Sequence, residues 1–155
     1  MRVSEIEIRP VPYADPVAQQ LIAEAVAELI IRYGGDGDDA PIDQTQFTPP
    51  QGEFLVAFAD GEALGCTGWR THDTEIAELK RMFIRPQARG RGAARALLRA
   101  AEDSARERGF KRLYLESGDR QPEALALYAS AGYDRIPNFG HHREHPSCVS
   151  FGRVL

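Results

Sequence analysis

The chain has 155 residues, of which 43% are hydrophobic and 27% charged, and its formal net charge is −4 at pH 7. This length suits one domain with a single core, and the composition excludes both a disordered and a membrane-embedded chain. Because no apolar run approaches the roughly 18 residues of a membrane helix, and the N-terminus lacks a signal-peptide core, we predict a cytoplasmic protein.

The first predicted elements are a short strand and a long amphipathic helix. Residues 5–9 alternate polar and apolar side chains, which is typical of a half-buried strand. Pro16 suits the first turn of a helix with Asp15 as its N-cap, and Gly34 follows the last residue of the helical period, Tyr33. We therefore expect a helix from Pro16 to Tyr33 that packs on a sheet.

The segment 34–51 has no apolar period and contains four aspartates, at positions 36, 38, 39 and 43. A long irregular segment in a compact domain is either mobile or functional, and its acidity would attract a cationic group. The aspartates lack the spacing and the terminal glutamate of an EF-hand, so no calcium loop is predicted. A solvated loop without a function is the alternative.

Three consecutive antiparallel strands are predicted next. Residues 54–58 and 63–69 form a hairpin around Asp60-Gly61, and a turn at residues 71–74 leads into a third strand that ends at Ile84. After a helix, residues 112–116 form a strand parallel to the third one. A helix between Pro122 and Gly132, then strands at Ile136 and residues 147–154, complete the order βαβββαβαββ. No repeat or linker interrupts it, so residues 1–155 are expected to form one domain.

The turn after the third strand, RPQARGRGAA over residues 85–94, has the properties of an anion site. It contains Gly90 and Gly92, and the helix that follows is predicted to bury Ala94, Leu97, Leu98, Ala101 and Ala105 and to end at Gly109. The first amides of a helix have no intrahelical partner, the helix dipole is positive there, and glycines let the backbone approach a phosphate. The spacing matches neither a Walker loop nor a dinucleotide fingerprint, and a simple tight turn is the alternative.

The charge distribution points to the same turn. From Lys80 to Arg112, eleven lysines and arginines stand against three acidic residues, a balance of +8 within an acidic protein. A phosphate-rich ligand accounts for this excess, whereas a solvated helix face is the alternative for the arginines of the helix. Nucleic acid is not expected, because the rest of the chain is acidic and no aromatic residues are interleaved with these arginines.

Histidines and cysteines do not indicate a metal. His141, His142 and His145 lie in an irregular, proline-bounded loop without the cysteines or carboxylates that would complete a tetrahedral site. Contact with a substrate and simple exposure to solvent both remain open for them. Cys66 and Cys148 lie in apolar stretches and are expected to be core residues.

Residues 87–92, QARGRG, match the Q/R-x-x-G-x-G/A pyrophosphate-binding motif of the GNAT-superfamily N-acetyltransferases. Residues 77–84 resemble the fourth strand of that fold, and residues 124–133, ALALYASAGY, resemble its second signature, A-x-x-L-Y-x-x-x-G-[FY]. Order and spacing agree over roughly residues 52–137. The resemblance implies an α/β (α+β) fold with a mixed, mostly antiparallel sheet flanked by helices, in which a splayed parallel strand pair binds the cofactor.

The resemblance also implies a site for acetyl-CoA as co-substrate. Strand backbone would bind the pantetheine arm in place of a missing strand, and the glycine turn would hold the pyrophosphate. Gln121 stands where many members have an asparagine that contacts the cofactor. The implied cofactor-binding residues are Met82, Phe83, Ile84, Gln87, Arg89, Gly90, Arg91, Gly92, Ala93, Ala94 and Gln121.

Two catalytic residues are implied by the resemblance. Glu78 lies six residues before Ile84, where many members carry the general base; the alternative is a strand glutamate paired with Lys80 or Arg81. Tyr128 matches the tyrosine that protonates the departing thiolate, and the alternative is a core aromatic residue.

The predicted activity is transfer of an acetyl group from acetyl-CoA to a primary amine of a small molecule or peptide, by direct attack in a ternary complex. A regulatory module that binds acyl-CoA without turnover is the alternative, because the same turn would serve it. No membrane partner is expected, and exposed strand edges leave a homodimer open. The sequence does not identify the amine.

Overall fold

The computed structural model describes residues 5–37 and 42–155, and its strands form one seven-stranded sheet. The strands are β1 (Glu7–Pro10), β2 (Gly52–Ala59), β3 (Glu62–Thr71), β4 (Ile76–Ile84), β5 (Arg112–Gly118), β6 (Asp134–Ile136) and β7 (Cys148–Val154), and the α-helices are α1 (Pro16–Tyr33), α2 (Ala93–Glu107) and α3 (Pro122–Ser130). Their spatial order in the sheet is β1-β2-β3-β4-β5-β7-β6, with β4 and β5 the parallel pair. The predicted fold class and order of elements are confirmed.

The helices cover opposite faces of the sheet. Helix α1 begins as predicted, because the Asp15 carboxylate accepts a hydrogen bond of 2.9 Å from the Val17 amide. Its buried side chains pack with one face of the sheet through Phe54, Val56, Cys66 and Phe83. Helix α2 packs on the other face, against a cluster that includes Leu79, Leu115 and Trp69. The two faces are therefore separate surfaces that only an opening in the sheet can connect.

Helix α2 differs from the prediction by one residue. It begins at Ala93, which is buried, whereas Ala94 is only partly buried and lines a cleft. The remaining buried positions Leu97, Leu98, Ala101 and Ala105 are as predicted. The helical period alone could not fix the first residue, because Gly92 in a left-handed conformation sets the start.

An opening is present between β4 and β5. Their parallel pairing covers only Ile76–Leu79 against Arg112–Leu115. Beyond this point β4 remains paired with β3, and β5 remains paired with β7 as far as Gly118, which is opposite Cys148. The pairing between β3 and β4 contains a register shift near Arg81, whose φ is 63°. Strand β4 therefore bulges just beyond Leu79, the last of its residues that pairs with β5. The two strands separate there and leave a gap.

Residues 42–51, the later part of the segment after α1, are more ordered than their composition indicates. A 3-10 turn at Gln44–Phe47 is capped by Asp43, and the buried Phe47 ring stacks on Tyr13 at a centroid distance of 5.0 Å. Two of the four aspartates, Asp38 and Asp39, lie outside the described residues. Over the described ranges, no helix combines the length and apolar character that crossing a membrane requires.

Candidate active site

A cleft of about 720 Å³ occupies the gap between β4 and β5. Residues of α1 line it on one face of the sheet, and residues of α2 and α3 line it on the other. The cleft therefore passes through the sheet at the point where the strands separate. Two ligands that enter from opposite faces can meet in it.

The glycine turn forms one wall of this cleft. Gly90 and Gly92 have φ values of 80° and 85°, which ordinary side chains rarely adopt, and a Cβ at either position would meet no atom within 4 Å. Gly92 is the N-cap of α2 and supplies no side-chain cap to the first helical amides, and Ala93 and Ala94, which carry two of these amides, line the cleft. Open amides, a positive dipole end and room for a bulky group fit a pyrophosphate.

The side chains of the turn do not all face the cleft. Arg89 lines it, but its guanidinium donates to the Glu28 carboxylate at 2.8 and 2.7 Å and to the Ile84 carbonyl at 3.1 Å. Arg89 therefore fixes the turn to α1 through these hydrogen bonds. Gln87 and Arg91 are exposed and are not among the cleft-lining residues, so the structure does not bring these two predicted residues into the site.

The remaining predicted cofactor residues lie around the gap. Met82, Phe83 and Ile84 line the cleft on the part of β4 that has lost its pairing with β5. Gln121, the N-cap of α3, lines the cleft at the start of that helix, and its Nε2 lies 3.5 Å from the Tyr33 hydroxyl. A ligand strand laid in the gap would meet backbone groups of β4.

Tyr128 of α3 lies in the wall of the cleft on the α2 side of the sheet. Its ring packs on Tyr133 and Phe151 at centroid distances of 5.9 and 6.0 Å. Burial raises the pKa of the Tyr128 hydroxyl, so it is protonated at neutral pH. Within the part of the chain that the structure describes, this hydroxyl has no hydrogen-bond partner. It is packed like a core residue and also able to donate a proton into the cleft.

Tyr133, the last residue of the second signature, has a structural role. Its hydroxyl donates to the buried Glu102 carboxylate of α2 at 2.7 Å, and Arg153 of β7 donates to the same carboxylate at 2.9 Å. This network fixes the end of α3 against α2 and β7. It therefore holds Tyr128 in place.

Glu78 is buried on β4 but does not line the cleft. Its carboxylate accepts a hydrogen bond of 3.0 Å from Nε of Arg70 on β3. The expected alternative partners were Lys80 and Arg81, and the observed partner differs because Arg70 is opposite Glu78 in the antiparallel register. Glu78 shares a strand face with Lys80, which does line the cleft.

An ion pair that the sequence did not predict lies where β4 and β5 separate. Lys80 Nζ is 3.5 Å from Glu116 Oε1, and the two side chains are only 5% and 9% exposed. They follow Leu79 and Leu115, the last residues through which β4 and β5 pair with each other, and both line the cleft. Thirty-five residues separate them in the chain, so only the register of the parallel pair could have revealed the contact.

The loop before β7 reaches the same part of the cleft. His142, His145, Ser147 and Cys148 line it, so contact with a substrate is geometrically available to two of the three histidines. Cys148 is half-buried, which corrects the prediction of a core residue, whereas Cys66 is buried. Among residues 5–37 and 42–155, no cluster of three or more histidines, cysteines or carboxylates is suited to a metal ion.

Comparisons with known proteins agree with this geometry. Residues 19–133 match the sequence model of the Acetyltransferase (GNAT) family. An IAA acetyltransferase of Azospirillum brasilense is 39% identical over 144 residues, which covers 88% of this chain and 92% of the relative. The residues matched by the family model include both the glycine turn and α3.

Solved structures share the whole architecture. A protein from Klebsiella pneumoniae, 29% identical, superposes with a TM-score of 0.80 over 97% of both chains. A GNAT family acetyltransferase from Elizabethkingia anophelis with acetyl-CoA bound is 22% identical and superposes with a TM-score of 0.68, over 97% of this chain and 98% of the other. The second likeness bears on the fold alone.

Proposed function

The chain belongs to the acetyltransferase (GNAT) family, and from this premise we propose that it transfers the acetyl group of acetyl-CoA to a primary amine by direct attack in a ternary complex. The observation that carries the proposal is the cleft through the sheet. It joins the start of α2, where we propose that the pyrophosphate binds, to a buried charged pair on the α1 side. Both substrates can therefore be bound at once, which direct attack requires.

Acetyl-CoA is the co-substrate of this family, and the residues present fit it. Amides near Gly92, Ala93 and Ala94 would bind the pyrophosphate, and the unpaired edge of β4 from Met82 to Ile84 would bind the pantetheine arm. The bound thioester supplies an activated acetyl group at the gap. Arg89, held by Glu28, positions the turn instead of neutralising the phosphates.

Tyr128 is proposed to give a proton to the sulfur that leaves when the amine attacks. Its hydroxyl is protonated at neutral pH, because burial raises its pKa, and it lines the cleft on the cofactor side. As the nitrogen–carbon bond forms and the carbon–sulfur bond breaks, this proton would neutralise the thiolate. A phenylalanine would pack equally well, so the hydroxyl is the group to test.

Two carboxylates are proposed as the base that removes a proton from the incoming ammonium group. Glu78, identified by its position on β4, would act through water, because it faces Arg70 and does not line the cleft. Glu116 lies in the cleft itself, beside Lys80. Glutamine variants of the two residues distinguish them, because only the true base changes the pH–rate profile.

The direct test is a screen of primary amines, from small molecules to peptides, with acetyl-CoA, followed by release of free thiol. Thiol release that depends on the acceptor, with an acetylated product of the expected mass, supports the enzyme. Thiol release at the same rate without acceptor is hydrolysis and contradicts the proposal. Tight CoA binding without acetylation of any amine favours the regulatory module, the second candidate that an open anion site supports.

A further inference from the structure

We infer that the acceptor is a free α-amino acid, held by the Lys80–Glu116 pair through both of its charges. This inference rests on the proposed acetyl transfer and names its substrate class. Lys80 would donate to the carboxylate of the amino acid, and Glu116 would accept from its ammonium group. The pair lies at the gap where the thioester must arrive, so an amine held by Glu116 is next to the acetyl group.

The position of the pair is unusual for a purely structural contact. Two charges that are 5% and 9% exposed carry a large desolvation cost, and a well-packed apolar pair is often as stable or more stable. Pairing between β4 and β5 has already ended at Leu79 and Leu115, whereas β3 and β7 still pair with the two strands at Lys80 and Glu116 and hold the backbone there. The pair forms part of a cleft wall, where complementary charges are available to a ligand.

The separation of the two groups also fits exchange with a ligand. Charge-assisted hydrogen bonds of this kind are normally about 2.7–2.9 Å long. Lys80 Nζ and Glu116 Oε1 are 3.5 Å apart, which is a longer and weaker contact. An α-amino acid carries its ammonium and carboxylate on one carbon, so one molecule can replace both halves of the pair with shorter contacts. Each buried charge then keeps an opposite charge beside it.

The other cleft charges favour the same ligand. Arg81 lines the cleft next to Lys80, so two cations and the Glu116 carboxylate face this region. His142, His145 and Asp36 line the cleft as well. A carboxylate entering beside Lys80 and Arg81 meets two cations, whereas an ammonium group entering there meets like charge. A simple amine offers an ammonium group to Glu116 but brings no carboxylate for Lys80.

The test compares acceptors that differ only in the carboxylate. After a screen of the free amino acids, the best one is compared with its amide and with the amine that decarboxylation would give. We expect kcat/KM for the amino acid to exceed that of both analogues by about 10²-fold or more. The same acceptors are then used with Lys80→Met, which should reduce this preference by about the same factor, and with Lys80→Arg, which should retain part of it.

Lys111→Met is the matched control, because Lys111 lies at an exposed site and pairs there with Glu75. This variant should leave the preference for the amino acid unchanged. If Lys80→Met does not fold, the double variant Lys80→Met with Glu116→Gln removes both charges of the pair. Calorimetry of amino-acid binding to the CoA-saturated double variant then replaces turnover as the measurement, and binding should be lost.

The outcomes separate the inference from the proposed function. If the amide and the decarboxylated amine react as well as the amino acid, the inference is overturned and acetyl transfer stands. If Lys80→Met retains the preference, the pair is not the receptor. If no acceptor releases thiol, the proposed function fails, and calorimetry with the CoA-bound wild type decides the inference. Amino-acid binding that is absent, or that Lys80→Met does not weaken, overturns it.

Discussion

The two halves of the cleft are built in different ways. The half in which we propose that acetyl-CoA binds, called the cofactor half, consists largely of backbone, with the open edge of β4, two glycines of positive φ and the start of α2, all within residues 82–94. The half proposed for the acceptor, called the acceptor half, consists of side chains from distant segments, including Lys80, Glu116 and His142. Backbone amides suit a phosphate group in any protein, whereas side chains select a particular acceptor. A local sequence motif therefore predicts the cofactor, whereas the acceptor can be inferred only from the folded structure.

Tyr128 stands at the border between the two halves, and its loss is expected to have the largest effect. Tyr128→Phe keeps the packing on Tyr133 and Phe151 but removes the proton donor. Turnover should fall by about 10-fold to 10³-fold, with CoA affinity largely unchanged. Steady-state kinetics and calorimetry measure the two quantities. Normal turnover in the variant would make Tyr128 a core residue only, and the acid would lie elsewhere.

Glu78→Gln tests whether the acceptor half extends beyond the cleft wall. If Glu78 takes the amine proton through water, turnover should fall by roughly 10²-fold at neutral pH and recover at high pH, where the amine is already neutral. The pH dependence of kcat/KM is the measurement.

Arg70→Met is the control for Glu78, because it removes the observed partner and keeps the carboxylate. A loss of the same size in both variants, without pH dependence, would indicate that the Arg70–Glu78 pair only supports the sheet. A pH-dependent loss in Glu116→Gln alone would assign the base to the cleft wall.

Gly92→Glu tests the cofactor half. A carboxylate at the N-cap of α2 would occupy the open space in front of the first helical amides. CoA affinity should fall by about 2 kcal/mol, or roughly 30-fold, through lost amide contacts and repulsion. Gly92→Ala is the control, since it carries the same strain at φ 85° without the charge. Equal affinities of the two variants in calorimetry would show that phosphate does not bind there.

The sequence predicted the features that depend on neighbours in the chain. Asp15 as an N-cap, the hairpin at Asp60-Gly61 and the glycine turn each follow from local chemistry, and the structure contains all three. The motif did not reveal that Arg89 faces Glu28 or that Gln87 points to solvent, because side-chain direction depends on α1. Likewise, Lys80 and Glu116 meet only through the register of two strands joined by a helical crossover.

The smallest effect is expected where α1 is attached to the end of β4. Glu24 accepts two hydrogen bonds from Arg85, both 2.9 Å long, and these hold the pKa of Glu24 below its ordinary value of 4.5. A folded pKa below the unfolded one stabilises the protein at pH values above the unfolded pKa, and this stabilisation is lost as the pH falls through the folded pKa. The side chains of Arg85 and Glu24 are 23% and 32% exposed, so solvent screening limits the gain.

Glu24→Gln should therefore lower the free energy of unfolding by about 0.5–1 kcal/mol at pH 7, and by almost nothing at a pH below both pKa values. Urea denaturation at the two pH values measures the difference. Glu75→Gln is the control, because its ion pair with Lys111 is far more exposed and should contribute no measurable stability at either pH. A loss in Glu24→Gln that persists in acid would point to disturbed packing of α1. An accompanying fall in CoA affinity would mean that the attachment of α1 also supports the cofactor half, and the two halves would then not be independent.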